Sequence, residues 1–382
     1  MPESEPGGEH PLPAAARVVV IGAGQAGLSV AYQLQRRGLR AGVDLVIVDR
    51  GPGAGGAWQF RWESLRLGTA HQVSDLPAMR DLGISFETAD QSGAARDVVA
   101  EYYERYEEHF GLRVYRPVEV ISVRELAEGG DLGVTTSLGE LRTEIVVNAS
   151  GTWATPFRPL YRGAETFRGV QIGTPQYRSA QDYAGKRVVI VGGGTSAVGF
   201  VLELEGVAAS TVWVTRRTVL FAEEDGATVS ASLESRLAAV NRQDEAASAG
   251  RVLPSISSGT GLPGTAKNLA AVERGVLIAR PMFDSIEPDG VRFADGTFEP
   301  ADVIIWATGF RSELAHLEPL NLREQSGGIR VENGRVARNG RVFLAGYGPQ
   351  ASTIGANRAG RLVAMQVLDA LRRLEHPQPE AD

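Results

Sequence analysis

Three closely spaced glycines and a downstream acid are the first residues in this chain whose types and spacing could do chemistry. Gly22, Gly24 and Gly27 form a G-x-G-x-x-G pattern, and Asp49 closes the next apolar run. Gly22 would permit a tight turn, Gly24 would let the backbone approach a pyrophosphate, and Gly27 would let a helix pack close to a strand. The carboxylate of Asp49 can accept hydrogen bonds from both hydroxyls of an adenosine ribose. The pattern therefore indicates a dinucleotide site.

The sequence around these residues predicts the elements that position them. Residues 18–21 form a short continuous apolar run, which is typical of a parallel strand buried on both faces. Residues 28–37 follow as a predicted helix that ends at Gly38, and residues 45–48 form a second such strand. The N-terminus of that helix would offer free N–H groups and a positive dipole end to phosphates. A glycine turn of any α/β protein could share the pattern, but the flanking strands and the acid favour the dinucleotide interpretation.

The same pattern recurs further along the chain. The apolar residues 188–191 run into Gly-Gly-Gly-Thr-Ser-Ala at 192–197, and a helix is predicted near 198–205. The next strand ends on Arg216 and Arg217 instead of an acid. Guanidinium groups pair bidentately with a 2′-phosphate, whereas a carboxylate repels it, so this site is predicted to prefer NADPH to NADH. The alternative is that both arginines are solvated at a strand end.

Composition excludes several classes of chemistry. The 382 residues include no cysteine, which excludes thiol nucleophiles, C-x-x-C redox pairs, cysteine-ligated metals and disulfides. The five histidines show no metal-ligand spacing such as H-E-x-x-H, so no metal site is predicted. The net charge of −7 argues against nucleic acid or an anionic membrane as the main partner.

The ends of the chain and its longest uncharged run predict a soluble, cytoplasmic protein. Residues 18–35 carry no charge, but glycine, glutamine and serine interrupt them, so a membrane span is not predicted. Residues 1–16 carry glutamates where a signal peptide has a basic region. This arm and the end of the chain at 376–382 are predicted to be disordered.

Two dinucleotide sites in one chain without a thiol indicate FAD in the first site and NADPH in the second, with hydride passing between them. Further segments stand in a fixed order: Gly-Gly-Ala-Trp at 55–58, Asn-Ala-Ser-Gly-Thr-Trp at 148–153, Ala-Thr-Gly-Phe at 307–310, and a strand at 342–346. With both glycine patterns, these segments make residues 17–365 resemble the flavin-containing (class B) monooxygenases, which have two dinucleotide-binding domains.

The resemblance implies an α/β fold with two Rossmann-like dinucleotide-binding domains, the NADPH domain being inserted into a split FAD domain. The implied division begins with a disordered arm at 1–16 and the first part of the FAD-binding domain at 17–155. An NAD(P)H-binding domain with hinge segments follows at 156–304. The second part of the FAD-binding domain is expected at 305–375, before a tail at 376–382.

The resemblance also implies an activity and its binding residues. The activity is that of an FAD- and NADPH-dependent monooxygenase, which inserts one oxygen atom from O2 into a small organic substrate through a C4a-peroxyflavin. A homodimer is one possible assembly. The residues carried over to the FAD site are Gly22, Gly24, Gln25, Ala26, Gly27, Asp49, Arg50, Gly56, Ala57, Trp58, Leu65, Ala149, Gly151, Gly346 and Ile354. Those carried over to the NADPH site are Gly192, Gly194, Thr195, Ser196, Ala197, Arg216, Arg217, Ala307, Thr308 and Gly309.

The chain departs from the family's pattern at positions close to the expected chemistry. Gly173 stands where the family signature has a histidine, and Gly68 stands where N-hydroxylating members usually have an asparagine. Glycine at both places is predicted to enlarge the cavity and to remove hydrogen-bond donors. Gly68 and His71 are the candidate catalytic positions, although His71 could equally touch the flavin or nothing. Two alternatives therefore stay open: an NADPH-dependent flavin dehydrogenase or oxidase without oxygen insertion, and a redox-sensing flavoprotein.

Two groups of aromatic residues are candidates for lining a site. Trp58, Phe60 and Trp62 follow the glycine turn at 55–56 and suggest an aromatic-lined site beside the isoalloxazine. Tyr102, Tyr103, Tyr106 and His109 lie in helical register, which favours packing of a helix face over substrate binding.

Overall fold

The computed structural model describes residues 11–70, 73–127, 130–222, 226–254, 262–351 and 353–376. Within these ranges, the description leaves out the side chains of 222, 226–236, 263, 353 and 354. The α-helices are α1 Gln25–Gln35, α2 Ala95–Phe110, α3 Thr195–Leu204, α4 Gly226–Ser248, α5 Ala266–Glu273 and α6 Thr353–Glu375.

The strands of the described residues form a large mixed sheet, a parallel sheet and two small sheets. In chain order they are β1 Ala15–Ile21, β2 Leu45–Val48, β3 Val114–Tyr115, β4 Val120–Glu125, β5 Leu132–Thr136, β6 Gly139–Asn148, β7 Val170–Gly173, β8 Arg187–Val191, β9 Ser210–Thr215, β10 Phe221–Ala222, β11 Leu262–Pro263, β12 Ala279–Pro281, β13 Ser285–Glu287, β14 Gly290–Arg292, β15 Phe298–Pro300, β16 Val303–Trp306, β17 Val331–Glu332, β18 Arg335–Val336 and β19 Val342–Leu344.

The first sheet is built around β1 and has the strand order β17-β18-β19-β6-β1-β2-β3. The run from β19 to β3 is parallel, β17 and β18 are antiparallel, and β4 and β5 extend β6 as antiparallel strands. Residues 18–20 and 45–47 are fully buried, as their continuous apolar runs predict. The carboxyl ends of β1, β2, β6 and β19 therefore meet at one edge, where ligands of such sheets bind.

The second sheet has the strand order β12-β9-β8-β16-β7, and all its pairs are parallel. Its strands come from residues 170–306, between β6 and β17 of the first sheet. This confirms the predicted α/β fold, in which one dinucleotide-binding domain interrupts the other. β16 ends at Trp306, so the second sheet extends past the expected domain boundary at 304.

Three element boundaries differ from the sequence prediction. β1 begins at Ala15 and pairs with Arg142 of β6, so the last residues of the arm predicted as disordered belong to the sheet. Residues 1–10 and 377–382 of the predicted arm and tail lie outside the described residues. Helices α1 and α3 both begin about one turn before their predicted starts, because their first turns contain the small residues of the glycine patterns.

Helices cover the first sheet and hold its glycine edge in place. α6 crosses α1 closely, since a Cβ at Gly360 would lie 2.1 Å from the hydroxyl of Ser29. On α2, Tyr103 and Tyr106 are fully buried in the core that includes β1 and β2. The side chains of these two tyrosines therefore pack the helix, as its spacing predicts, whereas Tyr102 is half-buried and His109 is exposed.

Candidate active site between two glycine loops

The first glycine loop joins β1 to α1 through close backbone contacts. Gly22 has a φ angle of 99°, and a Cβ there would lie 2.5 Å from the carbonyl oxygen of Ala149. A Cβ at Gly27 would lie 1.8 Å from the carbonyl oxygen of Gly22. Only glycine at these two positions allows α1 to begin directly against the end of β1.

The backbone of Gly24 lies close against the turn at Gly56, but there is room for a Cβ on Gly24 itself. A Cβ at Gly56 would lie 2.7 Å from the Cα atom of Gly24, whereas a Cβ at Gly24 would meet nothing nearer than the Cα atom of Gly56 at 3.9 Å. Gly24 is the N-cap of α1 and has no side-chain cap, so the N–H groups of the first turn, such as that of Ala26, lack intrahelical partners. This donor-lined cradle fits a pyrophosphate.

The side chain of Gln25 has a structural role. Its amide nitrogen donates to the carbonyl oxygen of Ser74 at 2.8 Å and to the side-chain oxygen of Asn357 at 3.0 Å. Its amide oxygen accepts a hydrogen bond from the hydroxyl of Tyr103. Both N–H donors of its side-chain amide are therefore already used within the protein, and its backbone N–H is the donor left for the predicted FAD site.

Asp49 lies at the carboxyl end of β2 and already organises the loop. Its Oδ2 accepts a hydrogen bond from the N–H of Ala23, and its Oδ1 accepts one from the N–H of Gly51, both at 2.7 Å. A carboxylate has about four lone-pair positions, so acceptor positions remain for ribose hydroxyls. Arg50 follows as an exposed residue.

A buried ion pair lies next to Asp49. Nothing in the sequence pattern predicts it. Arg116 donates two hydrogen bonds to Glu107, at 2.6 and 2.7 Å, and its Nε lies 3.9 Å from Oδ1 of Asp49. Burial raises the pKa of Glu107, and the hydrogen bonds from Arg116 oppose that rise. The buried Nε of Arg116 has no hydrogen-bond partner among the described residues, so it could serve an acceptor on a bound nucleotide.

The other residues predicted at the FAD site lie around the same edge. Gly346 follows β19, and a Cβ there would lie 3.2 Å from the Cβ of Ala26. Ala57 is exposed, while Leu65 is half-buried between the cores of the two domains. The side chain of Ile354 lies outside the described residues.

The two linkers between the domains run side by side. Residues 151–157 and 309–313 are joined by antiparallel backbone hydrogen bonds, among them one from the N–H of Phe157 to the carbonyl oxygen of Gly309 at 2.8 Å. The hydroxyl of Thr308 donates to the carbonyl oxygen of Phe157. The predicted linker residues of both cofactor sites therefore belong to one hydrogen-bonded junction.

The second glycine loop repeats the geometry of the first. Gly192 has a φ angle of 139°, and a Cβ there would lie 2.2 Å from the carbonyl oxygen of Ala307. Gly194 is the N-cap of α3, and residues 195–197 form the first turn of that helix. The loop thus offers a second set of N–H groups at the carboxyl edge of a parallel sheet.

A cavity of about 300 Å³ lies beyond the end of β9, beside the second loop. Arg216 and Arg217 both line it, as a site for a 2′-phosphate requires. Arg280 of β12 also lines it and was missed, because it comes from a strand distant in sequence. Arg280 donates to Glu299 at 3.1 Å, so its charge is partly compensated.

A half-buried arginine lies between the aromatic residues of the first domain and its linker. The guanidinium carbon of Arg61 lies 4.0 Å from the ring centre of Trp153 and 5.3 Å from that of Trp58. Its buried Nε has no hydrogen-bond partner among the described residues, and burial lowers its pKa to about 10. The side chain remains a cation at neutral pH, which suits a site for anionic cofactors.

The structure corrects the prediction of an enlarged cavity at Gly68. A Cβ there would lie 3.0 Å from the Cβ of Gln91, so the space is already filled. Gly173 ends β7, and the three atoms nearest to a Cβ there belong to Pro156, Pro175 and Gln176, at ordinary distances from 3.6 Å. His71, the other catalytic candidate, lies outside the described residues.

Comparison with known proteins agrees with this geometry. The sequence model of the pyridine nucleotide-disulphide oxidoreductase family matches residues 19–253. A flavin-containing monooxygenase from Stenotrophomonas maltophilia is 32% identical in sequence, with 94% of this chain and 99% of that chain aligned and a TM-score of 0.75. The chain therefore belongs to the pyridine nucleotide-disulphide oxidoreductase family and, within it, to the flavin-containing monooxygenases.

Other relatives of the family cover most of the chain. A CzcO-like oxidoreductase of Geobacillus kaustophilus is 28% identical over 86% of this chain and 90% of its own length. The indole-3-pyruvate monooxygenase YUCCA4 of Oryza sativa is 28% identical over 86% of this chain and 82% of its own length. The protein is thus a flavin-dependent oxidoreductase.

Two kinds of feature are missing from the described residues, a membrane-spanning helix and a metal-binding cluster. Within the part of the chain that the structure describes, no helix combines the length and apolar character needed to cross a bilayer. Among the same residues, no cluster of acidic and histidine side chains could hold a metal ion.

A buried histidine that the sequence does not single out lies near the edge of the first sheet that carries the first glycine loop. His316 lies 2.9 Å, through Nε2, from the side-chain oxygen of Asn148 at the end of β6. Burial lowers the pKa of His316 to about 4; the charge of Arg50 adds to this, and that of Glu313 opposes it. His316 is therefore neutral at pH 7, and its Nε2–H tautomer donates to Asn148.

We expect His316 to make the protein less stable in mild acid. Its pKa is depressed in the folded state, so the unfolded chain binds more protons between about pH 6.5 and pH 4, and stability is lost as the pH falls through that window. The loss attributable to this residue should approach about 3 kcal/mol at pH 4. Urea unfolding from pH 7 to pH 4 should show a shallower decline for His316→Gln than for the wild type.

The exposed His109 offers a matched control for this experiment. His109→Gln should follow the wild-type curve, because this side chain is exposed on α2. Parallel curves for the wild type and His316→Gln would show that His316 does not resist protonation in the folded protein.

Proposed function

We propose that this protein is an FAD- and NADPH-dependent monooxygenase that inserts one oxygen atom from O2 into a small organic substrate. NADPH, a proton, O2 and the substrate would give NADP+, water and the oxygenated product. Bound FAD supplies the oxygen chemistry, and the protein supplies binding, orientation and exclusion of water.

The observation that carries the proposal is the pair of glycine loops held together by one linker junction. Each loop ends a parallel strand, begins a helix and cannot accommodate a Cβ at its first glycine, Gly22 or Gly192. The first loop has an acid for a ribose, whereas the second has a cavity lined by arginines for a 2′-phosphate. This asymmetry supports FAD in the first domain and NADPH in the second.

The absence of cysteine in the sequence supports monooxygenase chemistry over the disulphide reduction for which the matched sequence family is named. A disulphide reductase passes electrons from flavin to a pair of thiols, and this sequence has none. Reduced flavin therefore has no cysteine pair in this chain to reduce, which supports a small-molecule acceptor. The relative YUCCA4 bears the name of an oxygenase of a 2-oxo acid, so 2-oxo acids belong among the first compounds to test.

A second candidate function is an NADPH oxidase or dehydrogenase that never transfers oxygen. Gly68 and Gly173 favour it, because they place no side-chain donor where the family has asparagine and histidine. With O2 as the sole electron acceptor supplied, this candidate predicts one hydrogen peroxide for each NADPH consumed.

The coupling of NADPH oxidation to product formation separates the two candidates. The FAD-loaded protein is given NADPH and air with amines, sulfides, ketones or 2-oxo acids, while NADPH loss, peroxide and product are measured. We expect at least one compound to suppress peroxide release and to gain an oxygen atom in proportion to the NADPH consumed. Stoichiometric peroxide with every compound would establish the oxidase function instead.

A further inference from the structure

Trp62 belongs to the FAD-binding domain by sequence but to the NADPH-binding domain by packing. It follows the glycine turn at 55–56, and its ring is only 4% exposed. The ring centre lies 5.0 Å from that of Phe200 on α3 and 5.9 Å from that of Tyr177, in an edge-on contact. Gly199 leaves room for it, since a Cβ there would lie 3.8 Å from the ring. Trp62 therefore does not line an open site, as its position suggested, but fills the core of the other domain.

Glu203 of α3 gathers hydrogen bonds from both domains. The indole N–H of Trp62 donates to Oε1 at 2.7 Å, and the hydroxyl of Ser64 donates to Oε2 at 2.8 Å. The hydroxyl of Tyr177, within the NADPH-binding domain, also donates to Oε2, at 3.0 Å. One carboxylate thus accepts three hydrogen bonds, two of which cross between domains, and bonds to a charged acceptor are the stronger kind.

The interdomain cluster of Trp62, Ser64, Tyr177 and Glu203 connects the two cofactor sites by a short route. Residues 56–64 begin at the turn that faces the first glycine loop. Glu203 lies on the helix whose first turn belongs to the second glycine loop. Rotation of one domain against the other would have to withdraw an indole from a packed core and break both interdomain hydrogen bonds.

We propose that Glu203 and Trp62 are positioning residues, which fix the NADPH-binding domain in the orientation that hydride transfer to FAD requires. This inference rests on the proposed function. In that step the nicotinamide loses a hydride, and the flavin accepts it together with a proton from solvent. The rate of such a transfer falls steeply with misplacement, since an error of about 1 Å can cost about a hundredfold.

Conservative variants separate positioning from simple folding. Glu203→Gln keeps the size of the side chain but replaces one acceptor oxygen by a donor, and Trp62→Phe keeps an aromatic ring without the N–H. Glu205→Gln is the matched control, because Glu205 lies just past the same helix and pairs with Arg274 of its own domain. All proteins are compared as FAD-loaded enzymes of equal flavin content.

Anaerobic stopped-flow reduction by NADPH is the first measurement. We expect Glu203→Gln and Trp62→Phe each to lower the limiting rate constant of flavin reduction about tenfold, while the NADPH Kd changes by less than about twofold. The double variant should be slowed by clearly less than the product of the two single effects, because both substitutions alter the hydrogen bond between Trp62 and Glu203. A loss confined to the Kd, or unchanged rates in both variants, would overturn the proposal.

Amide hydrogen exchange of the cofactor-free protein is the second measurement. Exchange in residues 59–66 and in the linker segments 151–157 and 309–313 should be faster in Glu203→Gln than in the wild type or Glu205→Gln. Equal exchange in all three proteins would show that the interdomain cluster does not restrain the motion of the two domains. A wild-type enzyme that NADPH fails to reduce would instead contradict the proposed function, and the exchange measurement would still decide whether the cluster holds the domains together.

Discussion

Replacing Gly24 by alanine is expected to leave the fold intact while FAD binding is largely lost. The new methyl group has room in the protein, because its nearest neighbour is the Cα atom of Gly56 at 3.9 Å. It would stand in the cradle where the pyrophosphate approaches the backbone. Losing charge-assisted hydrogen bonds costs about 1.5–3 kcal/mol, so the FAD Kd should rise about ten- to a hundredfold. Flavin titration of the apoprotein measures this, and thermal unfolding without flavin reports the fold.

Gly22→Ala provides the contrast within the same loop. Its Cβ would lie 2.5 Å from a backbone carbonyl and would need a left-handed φ angle, so this variant should lose stability before any flavin is added. If Gly24→Ala binds FAD as tightly as the wild type does, the first loop does not hold the pyrophosphate.

Removing Arg216 and Arg217 together is expected to abolish the preference for NADPH. Both side chains line the cavity beyond β9, where a 2′-phosphate would be paired. The KM for NADPH should rise about ten- to a hundredfold, whereas the KM for NADH, which lacks the phosphate, should change little. Steady-state kinetics with both cofactors measures the two effects.

Arg178 and Arg274 supply the control for this loss of charge. Both are exposed in the same domain and do not line the cavity. Replacing them by alanine changes the net charge equally and should leave both KM values unaltered. Equal KM values for NADPH and NADH in the wild type would show that Arg216 and Arg217 are solvated arginines at a strand end, the alternative that the sequence leaves open.

The buried framework of both domains could be predicted because its signals are local. Continuous apolar runs at 18–21, 45–48 and 188–191 mark strands buried on both faces, and each glycine pattern marks the turn that follows. The helix starts were placed too late since Gln25 and Thr195 adjoin glycines and lack the periodic apolar pattern of a helix interior.

The missed features depend on contacts between distant parts of the chain. Nothing near Trp62 in the sequence shows that its ring packs on Phe200, or that Glu203 binds it. Arg280 joins the arginine cavity only because β12 pairs with β9. Similarly, Gly68 suggested empty space, but Gln91 from a later loop occupies it.

Turnover under 18O2 tests the proposed oxygen insertion most directly. The FAD-loaded protein is supplied with NADPH and the compound that best suppresses peroxide release, and the product is examined by mass spectrometry. The proposed function predicts one 18O atom in the product and the other in water. A product that carries only oxygen from water, or 18O recovered solely in hydrogen peroxide, would contradict it.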